Sequence, residues 1–203
     1  NHKLISHRKT IRVEPNLRKD SLRNAFYFFD YQSIFPERLT LAFVKSAAEY
    51  GARVSNYSPV EGFLFENNNR ITGVKVRDVF SGELKNVHAD LIVNCGGTWA
   101  DKILNLASKK DAPAHKVKRS EGIHIITKKI AGNHVVSLQK KDGGPMMIMP
   151  WRDHSLIGTT DKEYEGDPDE YRVSKESIKD VIRAGNDNFG KKISFADVRH
   201  AYG

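Results

Sequence analysis

The run Ala89-Asp90-Leu91-Ile92-Val93-Asn94, followed at once by Cys95-Gly96-Gly97-Thr98, constrains the fold of this chain more than any other stretch. A continuous apolar run of this length reads as a strand buried on both faces, the habit of parallel strands covered by helices. The double glycine closes it with a tight turn and leads into a helix predicted over residues 99–107. The elements upstream suit the same layer. Residues 36–50 have helical spacing, with Leu39, Ala42, Phe43, Ser46, Ala47 and Tyr50 on one face, Pro36 near the start and Gly51 as the stop. A strand is predicted over residues 53–57. Three more, over 60–66, 71–79 and 83–87, are separated by Asn67-Asn68-Asn69 and Ser81-Gly82 and so form an antiparallel meander.

The second half changes character. Residues 122–127, 133–139, 145–150 and 155–160 are four short strand candidates, and a helix begins near Ser174 with Ile178, Val181 and Ile182 on one face. Together they predict a mixed α+β lobe. The first residues, Asn1 to Lys9, read as a basic, structureless run, and the chain stops at Ala201-Tyr202-Gly203 after a strand-like stretch. The expected class is therefore α/β plus α+β, with segments 1–36, 37–119 and 120–203, cut from something longer.

Composition narrows the function classes. With 203 residues, 39% apolar and 29% charged, the chain can bury a sizeable core and is neither disordered nor membrane-spanning. No apolar run approaches the roughly 20 residues needed to cross a bilayer, and no secretory leader is visible. The single cysteine, Cys95, excludes an internal disulfide framework and suits a reducing compartment, so a cytoplasmic location is expected. The net charge is +8, from 33 basic and 25 acidic residues. The basic residues are dispersed in short groups without aromatic interleaving, and no nucleic-acid-binding motif is present, so no nucleic acid is expected as partner. An anionic small substrate and a peripheral contact with acidic lipid both fit the charge.

Three features bear on chemistry. The strand 155–160 ends in Gly158-Thr159-Thr160-Asp161, a hydroxyl-rich turn that packs poorly and places polar atoms at a strand end. Gly96-Gly97 lets the backbone approach a flat ligand, though a double glycine at a strand-to-helix junction more often just makes the turn. His124, in Glu121-Gly122-Ile123-His124-Ile125-Ile126, alternates with apolar neighbours and therefore faces away from Ile123 and Ile125. An imidazole there suits general-base work near neutrality, and it suits a structural hydrogen bond as well. No metal-ligand spacing is found among the histidines, and no G-x-G-x-x-G or P-loop occurs anywhere in the chain.

In order, Ala25-Phe26-Tyr27-Phe28-Phe29-Asp30, Glu37-Arg38-Leu39, Ile92-Val93-Asn94-Cys95-Gly96-Gly97-Thr98-Trp99, Gly122-Ile123-His124-Ile125, Met149-Pro150-Trp151, Gly158-Thr159-Thr160-Asp161 and Tyr164-Glu165-Gly166-Asp167-Pro168 resemble the middle of the FAD-dependent glycerol-3-phosphate dehydrogenases. The resemblance implies part of a two-dinucleotide-binding-fold FAD lobe (residues 37–119) joined to a mixed-sheet substrate lobe of the D-amino-acid-oxidase type (1–36 and 120–203). It also implies oxidation of sn-glycerol 3-phosphate to dihydroxyacetone phosphate. His124 then matches the family's active-site histidine, a substrate-binding residue and the base on the C2 hydroxyl. Thr159 or Thr160 hydrogen-bonds where flavin and substrate meet, and Cys95, Gly96 and Gly97 lie against FAD. Electrons pass to quinone, with a peripheral contact on the inner face of the cell membrane.

Departures accompany the likeness. Glu121 stands where the family commonly has lysine, and the family's Gly-x-Arg-Pro segment is expected just after Gly203. The chain is thus expected to be an internal fragment that binds FAD poorly and turns over nothing alone. An oxidase of the same fold that passes electrons to oxygen, and a non-catalytic relative, are the alternatives.

Overall fold

The structure, a computed structural model, describes residues 2–20, 22–67, 69–108, 116–140 and 143–203. The chain divides into two compact units: residues 1–34 with 119–203, and residues 35–118.

The amino-terminal segment is ordered rather than structureless. Strand β1 (His2–Ser6) runs into helix α1 (His7–Val13) and returns as strand β2 (Asn24–Phe28), antiparallel to β1. Charge density hid this order, because its basic side chains point outward while Ile5 and Thr10 are buried. Glu14, at the end of α1, is buried, and its Oε2 accepts a hydrogen bond from the Gly132 amide at 2.8 Å, tying this segment to the rest of its unit.

The second unit begins with helix α2 (Pro36–Glu49), which has Pro36 in its first turn and ends against Gly51 at φ +92°. Residues 53–57 form no strand. Tyr57 turns left-handed (φ +52°), the Ser58 hydroxyl donates to the Asn56 carbonyl at 3.0 Å, and the Tyr57 carbonyl accepts a bond from the Val79 amide at 3.1 Å, so the segment bends instead of running as a strand. The meander follows as predicted: β3 (Val60–Phe65), β4 (Ile71–Arg77) and β5 (Leu84–His88), with β4 central and both pairings antiparallel. Asn68, placed in the first turn, lies outside the described residues. The run at 89–94 is irregular and open, with Leu91 80% and Val93 72% exposed. The Ala89 amide still donates to the Thr72 carbonyl of β4 at 3.1 Å, and beyond it residues 90–94 join no ladder among the described residues. A 3₁₀ turn, Gly97–Trp99, then leads into helix α3 (Ala100–Leu106).

The first unit resumes with β6 (Arg119–Glu121), β7 (His124–Lys128), β8 (Val136–Gln139), β9 (Pro145–Trp151), β10 (His154–Gly158), β11 (Lys162–Tyr164), helix α4 (Lys175–Asn188) and β12 (Val198–Tyr202). The strand predicted over 122–127 begins at His124, and Gly122-Ile123 separate it from β6, an unpredicted strand that pairs with β11 in a separate ribbon. Five strands form one antiparallel sheet in the order β12-β7-β10-β9-β8. Its register aligns a row across all five: Ala201, Ile125, Ile157, Ile148 and Val136. Ile125, Ile148 and Ile157 are fully buried and pack with Val181 and Ile182 of α4 and with Phe189 and Ile193. Ser174 caps α4, its side chain accepting from the Ser177 amide at 3.0 Å, and sets the apolar stripe of the helix over this row.

Strand β12 is held at its entry by Asp197, which pairs with Lys128 of β7 and accepts from the Ser194 amide (2.9 Å) and hydroxyl (2.8 Å). The Lys128 ammonium first, and then the two Ser194 donors, hold the Asp197 carboxyl well below its ordinary 3.8. A carboxyl so lowered contributes stability in full above pH 3.8, and the contribution is lost as pH falls below it. Asp197→Asn is expected to melt at a lower temperature than wild type at pH 6. That gap should narrow as pH is taken below 3.8, read by circular dichroism across a pH series.

Candidate functional site

Every second residue of a strand points to the same face, and the row next to the core row lies on the opposite face of the sheet. It consists of Tyr202, His124, Gly158, Met147 and Ser137, one from each strand in sheet order. Ile123 and Ile125 on either side of His124 are fully buried, while His124 is half-buried, as its alternation with apolar residues predicts. Met147 is 43% exposed, so this row borders an open face.

The imidazole sits between two cross-strand neighbours. On one side the Tyr202 ring stacks on it, with centroids 5.5 Å apart and planes 17° from parallel. On the other, Gly158 leaves the room the ring occupies: a Cβ there would stand 2.5 Å from His124 Cδ2 and 2.8 Å from the Ile123 carbonyl oxygen. Among the described residues none hydrogen-bonds the His124 ring. Burial lowers the His124 pKa below the ordinary imidazole value, which keeps the ring neutral, and able to take a proton, further toward acid.

The hydroxyl turn adjoins this row. Strand β10 ends at Gly158, the Gly158–Thr159 peptide is cis, and the chain passes through Thr159 and Thr160 into β11. Thr160 is buried, and its Oγ1 accepts a hydrogen bond from the Ile123 amide at 2.9 Å. The Thr159 hydroxyl donates to the Thr160 carbonyl at 2.9 Å and fills the notch left by Gly122, where a Cβ would stand 2.7 Å from Thr159 Oγ1. The turn is thereby fastened to the residue just before His124. A cavity of about 420 Å³ opens between this turn and α4, lined in part by Thr159, Thr160, Lys162, Asp180 and Arg183.

Glu121 faces α4. It accepts a long hydrogen bond (3.4 Å) from the hydroxyl of Ser177 in the first turn of that helix, and it stands across the β6–β11 ribbon from Lys162, which pairs with Asp180. Its bond to Ser177 keeps its carboxylate on the α4 side.

In the other unit, the turn after the irregular run has separate reasons for its two glycines. A Cβ on Gly96 would stand 2.6 Å from Ile103 Cδ1. The Asn94 side chain staples the turn, its Oδ1 accepting from the Gly96 amide (3.0 Å) and its Nδ2 donating to the Ala100 carbonyl (2.9 Å). Gly97 has φ +53° and nothing within 4 Å of a built Cβ, so its backbone is open to a flat ligand. Cys95 is exposed. The structure thus brings His124, Thr159 and Thr160 together in one unit and places Cys95, Gly96 and Gly97 in the other. Sequence reasoning missed Tyr202, which carries no motif, and the role of Gly158 beside His124. A glycine closing a strand signals a close approach, but only the strand register says what approaches.

A protein-family model described as FAD dependent oxidoreductase matches residues 1–203. The chain is 28% identical over 206 residues to an alpha-glycerophosphate oxidase from Streptococcus pneumoniae, covering 99% of this chain and 34% of that protein. It is 27% identical to an aerobic glycerol-3-phosphate dehydrogenase from Staphylococcus haemolyticus, covering 91% and 33%. The structure of the Bacillus halodurans glycerol-3-phosphate dehydrogenase complexed with FAD superposes with a TM-score of 0.84 at 26% identity, over 98% of this chain and 40% of that one. The chain spans about a third of the length of the curated relatives it matches.

Gly158→Ala is expected to push the imidazole from its place and to destabilise the fold by about 1–3 kcal/mol, the scale of overpacking. Urea denaturation and the chemical shift of the His124 ring proton would check both effects. A variant with unchanged stability and shift would remove Gly158 from the site.

Proposed function

Because the chain belongs to the FAD dependent oxidoreductase family, matched along its whole length, we propose that it is part of an enzyme oxidising sn-glycerol 3-phosphate to dihydroxyacetone phosphate. The observation that carries this reading is the half-buried His124, aligned with Tyr202 and Gly158 on the open face of the sheet beside the Thr159-Thr160 turn. Relatives named for glycerol 3-phosphate oxidation support the substrate.

His124 takes the proton of the substrate C2 hydroxyl on a ring nitrogen, and burial keeps that nitrogen unprotonated near neutrality. Thr159, and Thr160 through whatever hydrogen-bonding capacity its bond from Ile123 leaves, orient the substrate where it meets the cofactor. When bound, FAD supplies the acceptor for the C2 hydride. The open backbone of Gly97, with Cys95 and Gly96, fits a flat ring system held against that turn. On this reading residues 1–36 and 120–203 contribute to the substrate lobe and residues 37–119 to the FAD lobe. The 203-residue chain alone is expected to retain FAD weakly and to turn over nothing, checked by its flavin content and turnover after purification.

Electrons leave to quinone, from a cytoplasmic enzyme held peripherally on the inner face of the membrane. Among the described residues no helix is long and apolar enough to cross a membrane. Oxygen is the second acceptor to test, favoured by the name of the streptococcal relative; stoichiometric peroxide release on aerobic turnover would select it.

The test is anaerobic addition of sn-glycerol 3-phosphate to the intact flavoprotein while flavin absorbance is followed. Bleaching is expected, with none from the other enantiomer or from glycerol; a yellow protein that stays yellow sinks the substrate. His124→Ala is expected to slow bleaching by roughly 10²–10⁴-fold while flavin stays bound. Gly97→Asn, which tolerates a left-handed φ but adds bulk to the open backbone, is expected to lower the flavin-to-protein ratio. Stoichiometric FAD in that variant would take Gly97 out of the cofactor site.

A further inference from the structure

We infer that Tyr202 is a positioning residue for His124, its ring fixing the imidazole plane and shielding it from water. This rests on the reading of His124 as the base. Tyr202 is the direct cross-strand partner of His124 between β12 and β7, at a sheet position where neighbouring side chains meet. The two rings are offset and nearly parallel, at 5.5 Å and 17°. Two further observations give the stack its importance. Among the described residues none holds the imidazole by a hydrogen bond. On its other flank stands Gly158, which has no side chain with which to orient it. Rotation about the histidine side chain is therefore limited by Tyr202 on one side and by the Gly158 backbone on the other. Tyr202 is in turn backed by His200, whose ring lies 6.3 Å away at 28°. The entry of β12 is pinned by the Asp197–Lys128 pair, so the ring arrives at a set height on the sheet.

The stack also bears on protonation. From β12 the ionisable groups on this side are Tyr202 and His200, and from β10 the facing residue is Gly158, which has none. Glu121 and Lys162 belong to the ribbon on the α4 side. Burial is the one cause lowering the His124 pKa, and Tyr202 contributes part of that cover. Removing the ring lets water reach the imidazole and moves its pKa back up toward the ordinary value. A base that must be neutral then loses activity on the acid side and keeps it on the alkaline side.

The experiment compares wild type, Tyr202→Phe and Tyr202→Ile in the intact flavoprotein. The reductive half-reaction with sn-glycerol 3-phosphate is followed from pH 5.5 to 9 by stopped flow, and the His124 ring proton is titrated by NMR. Tyr202→Phe is expected to match wild type in both, because it keeps the stacked face. Tyr202→Ile, a residue that suits a strand, is expected to shift the acid limb and the NMR titration upward together. Its rate near pH 6 should fall roughly three- to tenfold, the scale of an aromatic pair, with the alkaline plateau close to wild type. An unmoved acid limb and titration in Tyr202→Ile would overturn the inference. So would a Tyr202→Phe variant as damaged as Tyr202→Ile, since the hydroxyl would then be acting. Should Tyr202→Ile fail to fold, the ring-current shift of the His124 proton in wild type and Tyr202→Phe decides, and its absence overturns the stack. Should wild type itself not bleach, the proposed reaction fails, and the NMR titration still decides the stack.

Discussion

The pairing of β7 with β10 on one side and β12 on the other governs the first unit. In that register Ile125 stands opposite Ile157 and Ala201, and His124 stands opposite Gly158 and Tyr202. Side chains alternate with a period of two, so a slip of one residue would send the imidazole into the core and an isoleucine to the open face. The cost of burying a polar ring in place of a fully enclosed isoleucine enforces the alignment. The position of His124 is therefore set by isoleucines on the opposite face of the sheet.

The ends of these strands are secured by a second set of contacts. The amide of Ile123 donates to Thr160 Oγ1, Glu121 meets Ser177 at the start of α4, and Lys162 pairs with Asp180 farther along the same helix. These contacts join the two chain segments that lead into and out of the site to one rigid helix. At the other end of β10 the buried hydroxyl of Ser155 accepts from the amides of Ile130 and Ala131 at 3.1 and 3.3 Å and ties the strand to the loop after β7. An antiparallel sheet with both ends of its central strand fastened in this way has little freedom to shear.

Much of this was legible in the sequence, and the reasons differ by element. The meander, α2 and α4 announced themselves through turn residues, a proline near a helix start and amphipathic spacing, all local signals. The outward orientation of His124 followed from alternation alone. Three readings failed because side-chain type alone does not say where the backbone finds its partners. Residues 89–94 have the apolarity of a buried strand, yet a strand needs neighbours for its backbone. Residues 53–57 read as a strand, yet the left-handed Tyr57 and the bond from the Ser58 hydroxyl to the Asn56 carbonyl bend the chain there. The first residues look too charged to be ordered, yet pairing with β2 organises them. The partners of His124 were out of reach for the same reason, since Gly158 and Tyr202 lie 34 and 78 positions away along the chain, and only the register brings them together.

The two rows of the sheet have opposite tolerance to change. A substitution among Ala201, Ile125, Ile157, Ile148 and Val136 is felt by the packing against α4, so selection for a stable fold restrains that row whatever the protein does. Tyr202, Met147 and Ser137 lie on the face with His124 and add nothing to that packing. Drift at those positions can reshape what the histidine meets while the scaffold beneath stays unaltered. A sheet divided in this way lets lineages that share one architecture alter one face while the other stays fixed.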